Sequence, residues 1–443
     1  MFPKAAISAL LVLAALPLAA RTRPHYGETL RVEIAGDPWQ RPNGIARRLV
    51  LDGLTQIGDD GDIRPALATS WTSENADHRW QFRLRPGVHF HDGSALASTT
   101  IAASLMASCM ASCPWQAVRA LGTSIVFTSD TPMPHLPQLL AGDEFLVSKP
   151  QTAESDGGTG PFQVSGFTNG ILTLAASDSY WEGRPFVDAI EIHTRRPTSD
   201  QWLDLSGGRA DLVEVPAENI RQAQQQHFNV LASAPVEVLA LELSNTGALA
   251  NPNLRAAMAY AVDRNALANV IFQKQGKASA ALLPQNISGF AFLFPAERDL
   301  NKAHELRGGI TAPLLTLQAD SSGTFQLAAQ RIALNLREAG FNVQVVGPGT
   351  KTPDMRLRIF RVGGADAAAD LSQIAFATGQ PIQAGGADLS AAYGAERELL
   401  DRKTLIPLVH LPCAYALSSR VRDLQLHYDG TLALDGASVE AAK

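Results

Sequence analysis

The chain has 443 residues, 46% hydrophobic and 18% charged, with a formal net charge of −6 at neutral pH. That length exceeds one ordinary core and calls for two or three domains or lobes, and the composition excludes a generally disordered chain. The acidic balance and the lack of any long basic run argue against nucleic acid as a partner.

In chain order, the first segment is the most legible. MFPK supplies a positive charge, AAISALLVLAALPLAA is an apolar run ending in small residues, and Arg21 opens polar sequence. This is the pattern of a secretory signal peptide over 1–21, cleaved around Ala19 to Arg21, with an uncleaved anchor as the alternative. No cysteine lies near the cleavage region, so an exported, soluble mature chain without a lipoprotein anchor is expected.

TLRVEIAGD alternates around Leu30, Val32 and Ile34 and predicts a strand, which Gly36-Asp37-Pro38 breaks. IARRLVLDGLTQIG follows as a helix closing at Gly58. A short helix is expected near Ala66–Trp71, then a strand over Trp80–Leu84, a turn at Arg85-Pro86-Gly87 and a further strand over 88–90. Ser98 or Thr99 caps a helix running to about Ser112. It carries Cys109, with Cys113 just beyond. Their spacing on one helix face is poor disulfide geometry, so small buried thiols are expected, a bridge at the distorted helix end being the alternative. With Cys413 the cysteines number 3, too few for a disulfide framework.

Residues 121–147 predict a hairpin and a short helix, 155–161 a flexible break, and Asn169-Gly170 a turn between two strands. VDAIEIHTRR is another strand. LDLSGGRADLVEV is a short helix, a turn and a strand, ENIRQAQQQ a helix, and FNVLASAP and VEVLALELSN are strands. NPNLRAAMAYAVDRNALANVIFQ is a strong helical pattern with Leu254, Met258, Ala261 and Val262 on its apolar face. After a loop-rich 275–310, PLLTLQAD, FQLAAQRIALNLREAG and FNVQVVG form a strand–helix–strand unit. MRLRIFRV is one more strand. Ala- and Gly-rich sequence then leads to RKTLIPLVHL and a final hairpin, LQLHYDGTLAL. The chain reads as mixed α/β in at least two lobes.

Chemistry is sparse. His89 and His91 occupy alternate strand positions, which share a face and could hold a metal, but no third ligand is near. Turn chemistry is the favoured reading there, and neither metal nor cofactor is expected. No Gly-x-Ser-x-Gly elbow, His-Glu-x-x-His or phosphate loop occurs, so an exported hydrolase ranks last.

The blocks GLTQIGDDGDIRPALATSW, WQFRLRPGVHFHDG, TGPFQV, ADLVEVP, LRAAMAYAVDR and LNLREAGFNVQV, in this order, closely resemble the extracellular solute-binding proteins of the peptide/nickel type. These are the capture subunits of ABC importers. The resemblance implies an α/β, two-lobed periplasmic-binding-protein clamp (type II, cluster C) with an extra inserted domain in the first lobe. It implies a first lobe of 22–48, 155–235 and 412–443, an inserted domain of 49–154, and a shortened second lobe of 236–411. The hinge would lie near Ala234-Pro235 and Leu411-Pro412. The implied partners are a small-molecule or peptide ligand and an ABC permease in the inner membrane, with the protein a periplasmic monomer that breaks no bond.

Under the same resemblance, ligand-facing positions are Asp37 and Trp39 after the first strand, Asn245 at the end of a later one, and Arg361 and Asp366 after MRLRIF. Asp366 best matches the aspartate that holds a peptide's α-amino group in oligopeptide binders, a charge-assisted pairing. Gly363 and Ala367 stand where the family has tryptophan and tyrosine. Asp370 is a rival for Asp366, and the region 370–405 is shorter than usual. These departures leave open a non-peptide ligand, and a sensor or partner-binding homologue with a reduced cleft. Trp39 and Trp115 read more readily as packed aromatics, and Asn245 equally as a strand-end cap.

Overall fold

The computed structural model describes residues 26–39, 44–58, 61–108, 113–150, 157–289, 294–310, 313–319, 323–363, 367–380, 382, 389–427 and 429–441. The signal segment, Cys109 and Asp366 lie outside the described residues.

An 11-stranded mixed sheet runs through the molecule. Its path is Asn342–Val346, Leu314–Gln318, Met355–Arg361, Asn229–Leu243, Leu405–Leu417, Leu212–Glu214, Thr29–Glu33, Ala189–His193, Ile171–Ala176 and Phe162–Thr168, with Lys277–Ala278 beside Leu405–Leu417. Leu30 and Val32 are fully buried on Thr29–Glu33, as their alternation requires. Asn169 and Gly170 turn Phe162–Thr168 into Ile171–Ala176 with φ of 53° and 78°, the left-handed pair that matches strand twist.

The two long central strands pair antiparallel with Pro235 opposite Pro412, and the register shifts on both sides of that pair. Proline has no N–H to give a ladder, so the rungs fail where the two prolines meet. One core, with Leu241, Met258, Ile332 and Leu408, packs to one side of this point. A second, with Leu30, Val50, Phe162 and Leu434, packs to the other.

A separate 4-stranded antiparallel sheet, Ala68–Glu74, Arg79–Leu84, Ser124–Thr128 and Ala117–Leu121, carries a third core with helix Ser98–Ser108. Trp80, Phe82 and Leu84 share its inner face, and Trp115 is buried between Phe127 and Phe145 at 5.1 Å from each ring. Trp115 is therefore a packed aromatic.

Several local expectations yield to pairing. Ala68–Glu74 is a strand rather than a helix, because it has Arg79–Leu84 to pair with, and Trp71 stacks on Phe82 at 6.0 Å. The helix expected to reach Gly58 is only Ile45–Val50, and Thr55–Ile57 pairs instead with Ile63–Pro65. Residues 88–90 form a single bridge, His89 to Ala95. FNVLASAP and VEVLALELSN are one strand, because Leu405–Leu417 runs alongside both.

The helical run after Asn251 breaks at Val262, which is extended (ψ 127°); Asp263 then caps a new turn through Ala266 N. The Ala-rich stretch forms two helices, Ala367–Ala377 and Leu389–Asp401, closing over Leu371, Ile374 and Leu399. Cys113 is disulfide-bonded, against the expectation of a buried thiol there, and Cys413 is free and buried. Among the described residues no helix is long and apolar enough to cross a membrane.

Candidate functional site

Segments beside the second and third cores and the helical cluster of Leu371, Ile374 and Leu399 converge on a cavity of about 40 Å³ whose wall includes Arg48, Asp143, Glu144, Arg361, Gln373 and Asp429. Helix Ile45–Val50 supplies the first side. Arg47, on its buried face, donates to Asp143 O (2.8 Å), and Arg48 donates to Ala141 O (3.1 Å) and pairs with the Asp143 carboxylate at 2.6 Å. The tandem arginines thus pin the segment that presents Glu144. Burial opposes the charge on Arg48, but the fields of Asp143 and Asp429 outweigh it and its pKa is raised. Burial, reinforced by Asp143, pushes the Glu144 carboxyl up. Asp429 accepts from Thr431 N (2.9 Å) and Thr431 Oγ1 (2.7 Å), a turn that fixes its side chain.

The opposite side comes from the end of Met355–Arg361 and from helix Ala367–Ala377. Arg361 faces Glu237 across the ladder and donates to its carboxylate at 3.0 Å. Asp370 is buried and accepts from Gly363 N at 2.9 Å, holding the loop after Arg361 against the helix. The helix closes over the first side. Phe376 meets Phe145 at 5.3 Å, and a side chain on Gly142 would come within 2.8 Å of Gln373 Nε2.

The structure separates the residues singled out from sequence. Arg361 lines the cavity. Asp37 accepts from Trp39 N at 2.8 Å in a local turn, and Trp39 packs on the core beneath the first strand. Asn245 lines a different cavity, of about 530 Å³, with Ser244, Arg255, Gln380, Arg402 and Thr404. It lies eight positions beyond Glu237 along the strand direction, roughly 26 Å away at about 3.3 Å per residue. The strand leaves the proline pair at Glu237, so Asn245 marks its far end. Arg48, Asp143, Glu144 and Asp429 went unread in the sequence. The one local signal was charge inside apolar runs, Arg47-Arg48 in IARRLV and Asp143-Glu144 in LLAGDEFLV.

His91 is a tether. Its Nε2 bonds Gly160 O at 3.0 Å, its N–H donates to Gly158 O at 2.9 Å, and burial lowers its pKa. Among the described residues no group of three His, Cys, Asp or Glu could hold a metal ion. Asp52 joins the small sheet to the large one: it accepts from Thr159 Oγ1 (2.8 Å), Trp181 Nε1 (3.0 Å) and Tyr180 OH (3.3 Å).

Residues 62–370 match the family model of bacterial extracellular solute-binding proteins, family 5. The chain belongs to that family. This family 5 chain is 24% identical over 249 residues to the nickel-binding protein NikA of Staphylococcus aureus, covering 53% of this chain and 50% of NikA. It is 24% identical over 338 residues to the probable di/tripeptide-binding protein 5 of Pseudomonas aeruginosa, covering 65% and 64%. The aligned stretches thus span about half to two thirds of these relatives. In three dimensions it resembles DppA from Helicobacter pylori, solved in complex with the peptide STSA, with a TM-score of 0.77 at 18% identity over 94% of this chain and 99% of that one. The fold is accordingly the two-lobed type II periplasmic-binding-protein clamp, and the relatives are binding proteins.

Proposed function

We propose that this protein is the substrate-binding component of an ABC importer. Exported by its N-terminal segment, it captures a small solute, a peptide first among candidates, between its lobes in the periplasm and delivers it to an inner-membrane permease. It acts as a monomer, without chemical turnover. The first lobe is 22–48, 155–235 and 412–443, the inserted domain 49–154 and the second lobe 236–411, hinged at Pro235 and Pro412. Closure around the solute shifts a population of open and closed forms.

The observation that supports this reading is the charged cavity where first-lobe, inserted and second-lobe segments meet in a family 5 chain. Arg361 and Asp366 are the proposed contacts carried over from the sequence. The small volume, about 40 Å³, favours a second reading, a sensor or partner-binding homologue whose cleft is reduced by helix Ala367–Ala377.

Native mass spectrometry of the mature protein, purified from the periplasm without refolding, tests both. A bound mass that leaves on denaturation is expected of the importer component. A bare protein that also shows no thermal shift with peptides, nickel chelates, haem or sugars would overturn it in favour of the second reading.

A further inference from the structure

Phe376 packs in a core that is not its own. It stands on helix Ala367–Ala377, whose Leu371, Ile374 and Ala375 share one cluster with Val362 and Leu399. The half-buried Phe376 ring packs instead against the core of the 4-stranded sheet and meets Phe145 at 5.3 Å. Both sides of this contact are anchored. Asp370 accepts from Gly363 N at 2.9 Å and Arg358 Nη1 donates to Ala377 O at 3.2 Å, which ties both ends of the helix to strand Met355–Arg361 and the loop after it. Phe145 is buried against Trp115 at 5.1 Å, and Arg47 and Arg48 hold its neighbour Asp143. The helix also lies beside Leu136–Leu139, and a Cβ on Gly142 would fall 2.8 Å from Gln373 Nε2, so the approach is close. Under the division proposed above, this contact joins the second lobe to the inserted domain across the cleft.

We infer that Phe376 is an autoinhibitory latch: seated in the core of the inserted domain, it holds the clamp shut over the charged cavity, and a solute enters only when it lets go. This rests on the solute-binding reading above and adds how that site is regulated. In the latched form the cavity is about 40 Å³, room for about three water molecules at about 10–15 Å³ each, whereas a pocket for a small organic solute needs about 300 Å³ or more. A peptide does not fit beneath the latched helix. The narrow cleft is then one state of the molecule and not a permanent loss. A ring seated among rings holds that state without any solute, and a single such contact is weak enough to release. Capture is reduced by the fraction of molecules that are latched.

The test compares the wild type with Phe376→Ala and Gly142→Leu, each shown by native mass spectrometry to carry no bound mass. Gly142 has φ −74° and ψ 155°, open to any residue, so Gly142→Leu wedges the contact from the opposite side and leaves both rings in place. If Phe376→Ala does not fold, Gly142→Leu decides alone. Small-angle X-ray scattering of each protein is followed by capture from casein hydrolysate, read by native mass spectrometry. The bare wild type is expected to scatter as the latched structure and both variants to show a larger radius of gyration. Each variant should also capture at a roughly tenfold lower hydrolysate concentration, as follows if about 10% of the wild type is unlatched. A bare wild type that is already expanded, or a folded variant that scatters like a compact wild type, overturns the latch; peptide capture by the wild type would then leave the clamp reading standing. Expanded variants that, like the wild type, capture nothing from hydrolysate, nickel chelates, haem or sugars remove the clamp reading, and the latch falls with it.

Discussion

Glu396 has two oxygens in unlike surroundings. Oε1 accepts the adjacent N–H groups of Leu282 (2.5 Å) and Leu283 (2.9 Å), while Oε2 has no hydrogen-bond partner among the described residues and the side chain is fully buried. Burial pushes the carboxyl up to about 7 from 4.5, and the two N–H groups only partly oppose it. Its stabilising contribution is full below the unfolded value of 4.5 and is lost as the pH rises through 7, about 3 kcal/mol in all. His410 works the other way. Buried against Ala281 O, it is pushed down to about 4, so its contribution is present above 6.5 and lost as the pH falls through 4. In Glu396→Gln the fall in unfolding free energy between pH 5 and pH 8 should shrink by about 3 kcal/mol relative to wild type, the His410 part being common to both. Urea titrations at the two pH values measure this, and equal falls would show that Glu396 is not the group responsible. Legibility divides at this scale too. Arg361 was readable because the family resemblance places ligand contacts after MRLRIF; Glu144 was not, because nothing in LLAGDEFLV says that it faces a cavity shared with Arg361.

Among elements, the join at Asp52 shows why block order was readable and its reason was not. Its donors Thr159 and Trp181 stand 107 and 129 residues away, and no local pattern announces such partners. Gly158 belongs to the same join: a Cβ there would fall 1.8 Å from Val50 O, a contact with backbone that cannot be relieved by a rotamer. Asp52→Ala leaves the buried Thr159 hydroxyl and the half-buried Trp181 and Tyr180 donors facing an apolar methyl and should cost about 3 kcal/mol in urea unfolding. A variant within about 0.5 kcal/mol of wild type would show the join to be dispensable. The misread elements share a cause. Ala68–Glu74, Thr55–Ile57 and Asn229–Leu243 took their form from a partner strand, whereas Thr29–Glu33 and the Asn169-Gly170 hairpin, whose signals are local, formed as read.

Over the whole molecule, the family resemblance made the clamp legible, because its turn residues fall at fixed offsets. The resemblance also put Pro235 and Pro412 at one hinge, but their direct opposition in the ladder was not legible, since register depends on both strands at once. Cys413 follows directly on that pair. Its thiol lies against Ser233 Oγ at 3.2 Å and Gly430 O at 3.5 Å, and burial pushes it up to about 11. Gly430 leaves no room for a larger neighbour, as a Cβ there would sit 2.3 Å from Cys413 Sγ. The protonated, enclosed sulfur is therefore chemically silent until the strands part. This makes Cys413 a clock. Under the proposed hinge, the rate at which an alkylating reagent marks it counts openings at the proline pair. A solute held only by the closed form, at about 100 times its dissociation constant, should slow that marking about 100-fold. A rate indifferent to a solute that demonstrably binds would mean that capture proceeds without movement at the prolines.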